Sequence, residues 1–236
     1  MAFQFLSHIL DPDGYAWPGE PVVKTTQCTD VSDDCPFCSF VSELPNHFGT
    51  HMDAPRHFVK DGLSINELPI EYFTHTKVAL LEIPKGPAEG IYKKDLEPFA
   101  DILSTVSCAL IRTGLEQYRD TDQNIYQNQG AFIAPSAGDY LTETFPNLKT
   151  IGMDFLAIGS ASDKCAEGEL PPDCHRHLLG YYSGKFCTGI EDMHLSDIPK
   201  GARIKFFTNA PLRIKGLDSS QVVCIADPAG DRKSVV

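Results

Sequence analysis

Three of the eight histidines fall in one run, His47-Phe48-Gly49-Thr50-His51-Met52-Asp53-Ala54-Pro55-Arg56-His57-Phe58, and it constrains the chain more than any other stretch. Imidazoles and a carboxylate separated by small residues are a donor set suited to a divalent metal held close to backbone. His47 and His51 would share a helix face at i, i+4, but Gly49, Thr50, Asp53 and Pro55 all disfavour a helix here. A strand or extended turn is predicted instead, with His47, Gly49, His51 and Asp53 projecting to one side and Gly49 leaving a gap for an ion. Pro55 stops the strand, and the small Ala54 lets the chain bend, so that His57 returns over the pocket without binding the same ion. That leaves His57 free for proton transfer. No packing requirement explains three imidazoles and a carboxylate in one segment, whereas the scattered His8, His75 and His194 carry the ordinary expectation of hydrogen-bonded structural residues. The metal is structural if four protein ligands close the site, and catalytic if an open position carries a water.

Nothing in the remaining composition calls for a second domain. The 236 residues contain no Ser/Gly-rich linker, low-complexity block or fixed repeat, so one domain over residues 1–236 is expected, and 42% apolar residues suffice for its core. A formal net charge of −12 disfavours nucleic acid and anionic membrane as partners and leaves a small-molecule substrate. The start of the chain has neither the basic region nor the apolar length of a signal peptide, and no stretch is long enough to span a bilayer, so a cytoplasmic location is expected. The cysteines are mostly scattered and read as reduced thiols. Cys35-Pro36-Phe37-Cys38, with Cys28 nearby, is the one CxxC, and it fits a zinc or redox loop no better than a plain surface loop.

Along the chain, Phe3 to His8 is predicted as a strand, Ser64 to Leu68 as a short helix, Val78 to Ile83 as a buried strand and Lys93 to Phe99 as a short helix. Ser107 to Thr113 is a strand, Ala137 to Phe145 a helix and Thr150 to Ile158 a strand, and Ile204 to Ala226 holds two or three strands with a turn at Lys215-Gly216. Alternating helices and strands imply an α/β domain with a mixed sheet and flanking helices. Trp17, in a Pro/Gly-rich loop, is as well suited to lining a pocket as to packing. Further metal donors stand in His175-Arg176-His177 and Glu191-Asp192; a histidine and a carboxylate from there would complete a two-metal site with Asp53 or Glu191 bridging. Spacing alone does not bring them to the pocket.

The run from His47 to Phe58 resembles the HxGTHxDxPxHF signature of the cyclase-type metal-dependent hydrolases, which include bacterial kynurenine formamidase (arylformamidase) and isatin hydrolase. Leu6-Ser7-His8, Asp61-Gly62, Ile111-Arg112-Thr113-Gly114, Ile151-Gly152-Met153-Asp154, His175 to Leu179 and Ile190-Glu191-Asp192 are similar to family segments in the same order. The resemblance implies a swivelling β/β/α fold and assembly as a homodimer or homotetramer. It also implies first-metal ligation by His47, His51 and Asp53, completion of a binuclear zinc centre by His175 and Glu191 with Asp53 and Glu191 bridging, and His57 as general acid/base. Trp17 sits near the family's substrate-contacting aromatic. One or two Zn2+ ions are implied, with Mn2+ in some relatives. The chain departs from the pattern at Arg176, where the formamidases have a second adjacent histidine, in a longer interval from His175 to Glu191, and in an expanded loop from Lys24 to Cys38.

A divalent metal makes hydroxide available at neutral pH. The expected reaction is hydrolysis of an amide, lactam or ester carbonyl in a substrate of the N-formylkynurenine or isatin type. His57 takes up a proton and returns it to the leaving atom. Trp17, Phe48 and Phe58 would face the aromatic part of the substrate. Two rival readings use the same residues: a non-haem iron oxygenase built on His51, Asp53 and His175, and an inactive protein stapled by metal that binds a ligand or partner.

Overall fold

The apolar run Cys108–Arg112 and its neighbours Val78–Glu82 and Thr150–Met153 lie side by side as parallel strands in the computed structural model of the protein, which describes residues 3–14, 16–161 and 171–228. In chain order the strands are β1 (Gln4–Phe5), β2 (Lys24–Thr29), β3 (Ser39–Glu43), β4 (His51–Asp53), β5 (Thr74–His75), β6 (Val78–Glu82), β7 (Gly90–Ile91), β8 (Cys108–Arg112), β9 (Phe132–Ile133), β10 (Thr150–Met153), β11 (Thr188–Glu191), β12 (Phe206–Pro211) and β13 (Ser219–Asp227). The helices are α1 (Lys93–Leu96), α2 (Ala100–Leu103), α3 (Gln123–Asn128), α4 (Pro135–Thr144) and α5 (Pro171–Leu178). One mixed sheet runs in the order β5-β12-β13-β4-β11-β10-β8-β6, with β1 added against β13. Strands β6, β8, β10 and β11 are parallel, whereas β4, β13, β12 and β5 continue the sheet in antiparallel pairs.

Helices cover one face of the parallel half, as strands buried on both sides require. Ile91, Leu96, Leu103, Phe132, Ala137, Leu141 and Leu178 pack there against Leu81, Ala109, Ile111 and Ile151. On the other face Leu6, Met52, Leu110, Ile190, Phe207 and Cys224 form a separate core. Helix α4 starts with Pro135 at its first turn, where a missing N–H costs nothing. It approaches α5 closely at Gly138: a Cβ there would stand 3.0 Å from His177 Cβ and 3.1 Å from the Leu178 backbone nitrogen. This contact seats the helix that carries His175.

The mixed α/β architecture agrees with the sequence pattern, and the differences are local. The strand expected over Thr150 to Ile158 ends at Met153, and the residues beyond it form a loop. The strand expected from Phe3 to His8 is Gln4–Phe5 plus an isolated bridge from Ser7 to Met193. Ile65–Glu67 is a 3-10 turn closed by a capping box between Ser64 and Glu67. The Cys-bearing loop is a largely exposed hairpin of β2 and β3. Cys28, Cys35, Cys38, Cys108, Cys187 and Cys224 are free thiols, and no cysteine belongs to a group of potential metal donors among the described residues; Cys165 lies outside them. Among those residues, no helix is long and apolar enough to cross a membrane.

Candidate metal centre

Strand β4 lies between β11 and β13, with His51 opposite Glu191 and Gln221, and Asp53 opposite Gly189 and Ser219. Side chains alternate along a strand, so His51, Asp53 and Glu191 share one face while Met52 and Ile190 turn into the core behind. The expected strand from His47 is shorter than predicted: residues 47–50 form a turn, and only His51–Asp53 are extended. Gly49 makes that turn possible with φ of 66°, and a Cβ there would lie 2.6 Å from Leu10 Cδ2. Its role is therefore conformational and does not lie in leaving a gap for an ion. The Gly49 carbonyl accepts from His51 Nδ1 at 2.7 Å, which aims Nε2 at the site in the way a ligating histidine is oriented. After Asp53, the 3-10 turn Pro55–His57 swings His57 back over the same face.

The two oxygens of Asp53 serve two groups of donors. Oδ1 lies 3.3 Å from His47 Nδ1 and 3.6 Å from His51 Nε2. Oδ2 lies 3.8 Å from His57 Nε2 and 3.9 Å from His175 Nε2. Glu191 is arranged alike, with Oε2 at 3.1 Å from His51 Nε2 and Oε1 at 3.3 Å from His175 Nε2. The longer interval between His175 and Glu191 thus still brings the two together. Donors around a shared zinc ion stand about 3 to 4 Å apart, given bonds of about 2 Å. Both Asp53 oxygens and His51 Nε2 are buried with no hydrogen-bond partner, although charged neighbours stand close. Buried polar atoms are normally satisfied, so these orphaned atoms and the His/carboxylate donor set fit a divalent cation.

The electrostatics agree. Burial pushes the Asp53 carboxyl up, but the neighbouring imidazoles of His57, His47 and His51 outweigh it and hold the group well below the usual carboxylate range. Burial and the facing Asp53 charge raise Glu191, yet the close contacts with His175 and His51 bring it down to about 2. For His47 burial pushes down, and the carboxylates of Asp218 and Asp53 overcome it to reach about 10. Two buried carboxylates therefore stay anionic and draw cations to the site.

Asp218, which no sequence motif marks, completes the arrangement. Its Oδ2 accepts from His47 Nε2 at 3.0 Å and from His57 Nδ1 at 2.9 Å, and its Oδ1 accepts from Asn46 Nδ2 at 2.7 Å. These contacts, with His47 first and His57 second, hold its carboxyl well below the ordinary range. The residue directly precedes β13, and Ser219 pairs with Asp53, so strand pairing alone delivers it to the site.

A cavity of about 260 Å3 opens onto these groups, lined by Trp17, Glu20, His47, His51, His57, Phe58, Leu156, Ala157, Gly159, His175 and Glu191. Phe58 stacks on His175 with ring centroids 4.8 Å apart and meets His57 edge-on at 4.5 Å. Phe48 does not line the cavity. It is 2% exposed and packs with Ala16 and Val23, because the turn at Gly49 directs it inward beneath the Trp17 loop. Glu20 and the loop after β10 are lining residues that sequence reasoning missed; an isolated glutamate and a short apolar segment carry no local signal. Four histidines and two carboxylates meet here, more than the two-histidine, one-carboxylate set of a non-haem iron oxygenase uses.

Two relatives, a solved structure and a family model are similar to this chain. A protein of Haemophilus influenzae described only as "Uncharacterized protein" is 62% identical over 139 residues, which is 59% of this chain and 98% of the relative. The kynurenine formamidase of Bacillus anthracis is 34% identical over 160 residues, covering 67% of this chain and 71% of the relative. Among solved structures, isatin hydrolase A from Labrenzia aggregata bound to benzyl benzoate superposes with a TM-score of 0.75 at 22% identity, over 95% of this chain and 93% of that one. Residues 5–160, which include the His47–Phe58 run, match the family described as "Putative cyclase", and the chain belongs to the cyclase family.

Proposed function

We propose that this protein is a metal-dependent hydrolase that opens a carbonyl bonded to an aryl nitrogen or oxygen, in a formanilide, an isatin-like lactam or an aryl ester. The observation that carries this reading is the divided Asp53 carboxylate, with Oδ1 toward His47 and His51 and Oδ2 toward His57 and His175. His47, His51 and Asp53 would hold one divalent ion, and Asp53, Glu191 and His175 a second. When bound, such ions lower the pKa of coordinated water toward ~7 and polarise a carbonyl oxygen.

The chain's own residues supply the rest. With Nδ1 donating to Asp218, His57 presents Nε2 to the cavity. That atom takes a proton during attack on the carbonyl and returns it to the leaving nitrogen or oxygen. Trp17 and Phe58 wall the cavity and hold an aromatic ring by stacking or edge contact, with the scissile bond turned toward His57. The aliphatic backing of Leu156 and Ala157 limits water beside the ring. The names of the Bacillus anthracis and Labrenzia aggregata relatives favour an aryl-nitrogen carbonyl as the first class to test.

The test is a hydrolysis screen of the protein loaded with Zn2+ or Mn2+ against formanilides, isatin-like lactams and aryl esters, beside elemental analysis. Turnover on at least one class, abolished by chelation, is expected. Absence of turnover on all three with metal bound would overturn the reading in favour of a binding protein.

A further inference from the structure

Outside this centre, one other group of potential metal donors occurs among the described residues: His8, Glu116 and His194, whose ligand atoms all lie within 4.8 Å of one another. They come from three separate segments. His8 follows β1, Glu116 lies in the 3-10 turn Leu115–Tyr118 after β8, and His194 follows β11.

Each donor is aimed and held. Glu116 Oε2 accepts from the backbone nitrogens of Leu195 and Ser196, both at 2.8 Å, and Oε1 accepts from Ser196 Oγ at 3.0 Å. His194 stands between two carboxylates, with Nδ1 against Glu116 Oε1 and Nε2 at 3.0 Å from Asp197 Oδ2. His47 at the main centre is flanked in the same way by Asp53 and Asp218. For such a ring the outer carboxylate takes one N–H, and a cation serves at the inner nitrogen, whether proton or metal. Burial lowers the proton affinity of His194, and hydrogen bonding to Glu116 and Asp197 overcomes it.

His8 supplies the second observation. Its Nε2 is buried without a hydrogen-bond partner, 3.9 Å from both Glu116 Oε1 and Asp192 Oδ1. Burial pushes its pKa down, against the pull of Asp192 and Glu116, which disfavours the protonated ring. Asp192 does not compete as a ligand, because Arg119 holds it through Nε at 2.8 Å and Nη2 at 3.0 Å, and the Tyr126 hydroxyl donates to it at 2.5 Å. What remains is two imidazoles and one carboxylate, a set that suits a borderline transition ion and is poor for Ca2+ or Mg2+.

We infer that His8 Nε2, Glu116 Oε1 and His194 Nδ1 form a peripheral site for a divalent transition ion of the zinc class, separate from the Asp53 centre. Binding releases the proton of the His194–Glu116 hydrogen bond to solvent, and both atoms then turn to the ion. The partly exposed edge of His194 leaves a position for water. The bound ion ties the first strand to the segments after β8 and β11, and so acts as a clamp.

Zn2+ titration of the chelator-stripped, full-length protein, followed by desalting and elemental analysis, tests this. His8→Ala and His194→Ala should each retain one equivalent fewer than wild type. His51→Ala, impaired at the main centre, should keep the peripheral equivalent, and Zn2+ should raise its melting temperature. The double variant His51→Ala/His194→Ala should show a smaller rise. Full wild-type uptake by either single-histidine variant overturns the inference, as does a melting temperature that responds equally in the single and double variants. Because the readouts are metal uptake and melting temperature compared on the same His51→Ala background, the outcome is independent of whether the main centre hydrolyses anything.

Discussion

Asp218 Oδ2 lies 2.9 Å from His57 Nδ1 and also 3.0 Å from His47 Nε2, so one carboxylate oxygen orients both the proposed proton carrier and a proposed metal ligand. Accepting both N–H groups fixes the tautomers, leaving His57 Nε2 and His47 Nδ1 facing the centre. An acceptor with this double role is a positioning residue, and removing it disturbs proton transfer more than substrate binding.

Asp218→Asn should therefore lower kcat by ~10²-fold with little change in KM, because its amide has one acceptor oxygen and an NH2 that opposes a ring N–H. Asp218→Glu should recover part of the loss. Steady-state kinetics on whichever aryl substrate turns over, paired with elemental analysis, checks this. An Asn variant as fast as wild type would remove Asp218 from the scheme.

Separate readouts for His51 and His57 follow from their partners. His51→Ala removes an inward-facing donor and should lose metal at this centre and activity together. His57→Ala should keep its metal and lose turnover, since Asp218 already engages the other ring nitrogen of His57. Matching metal loss in the two variants would make His57 a ligand.

Chelation should abolish activity and lower the melting temperature, with both restored by Zn2+ or Mn2+. Stripping leaves the buried carboxylates of Asp53 and Glu191 facing each other with only imidazoles to balance them. Calorimetry before and after dialysis against chelator measures the effect, and an unchanged melting temperature would speak against ions at this centre.

His75 gives a pH dependence unrelated to the metal. Burial outweighs its hydrogen bond with the Tyr72 carbonyl and lowers its pKa to about 4. Above the unfolded value of ~6.5 neither state is protonated, so there is no linkage. As pH falls from there toward about 4, only the unfolded chain takes up the proton, and stability declines by up to about 3 kcal/mol. Urea unfolding of chelator-stripped wild type and His75→Gln at pH 7.5 and 4.5 should show a smaller decline in the variant; equal declines would contradict the assignment.

The sequence alone determined whatever depends on neighbours along the chain. The donor types between His47 and His57, the break at Pro55 and the strand over Cys108–Arg112 follow from residue chemistry and periodicity. So do the helix near Ala137 and the absence of a helix through Gly49. Tertiary structure decided which distant residues share a face with that segment. Strand β4 has no register of its own until β11 and β13 pair with it. That pairing puts Glu191 beside His51 and Asp218 beside His47 and His57. It also separates Phe58, which lines the cavity, from Phe48, which the Gly49 turn sends into the packing beneath Trp17. Local preferences act over a few bonds, whereas a site assembled from strands more than a hundred residues apart is specified by sheet pairing and core burial, which no short window of sequence contains.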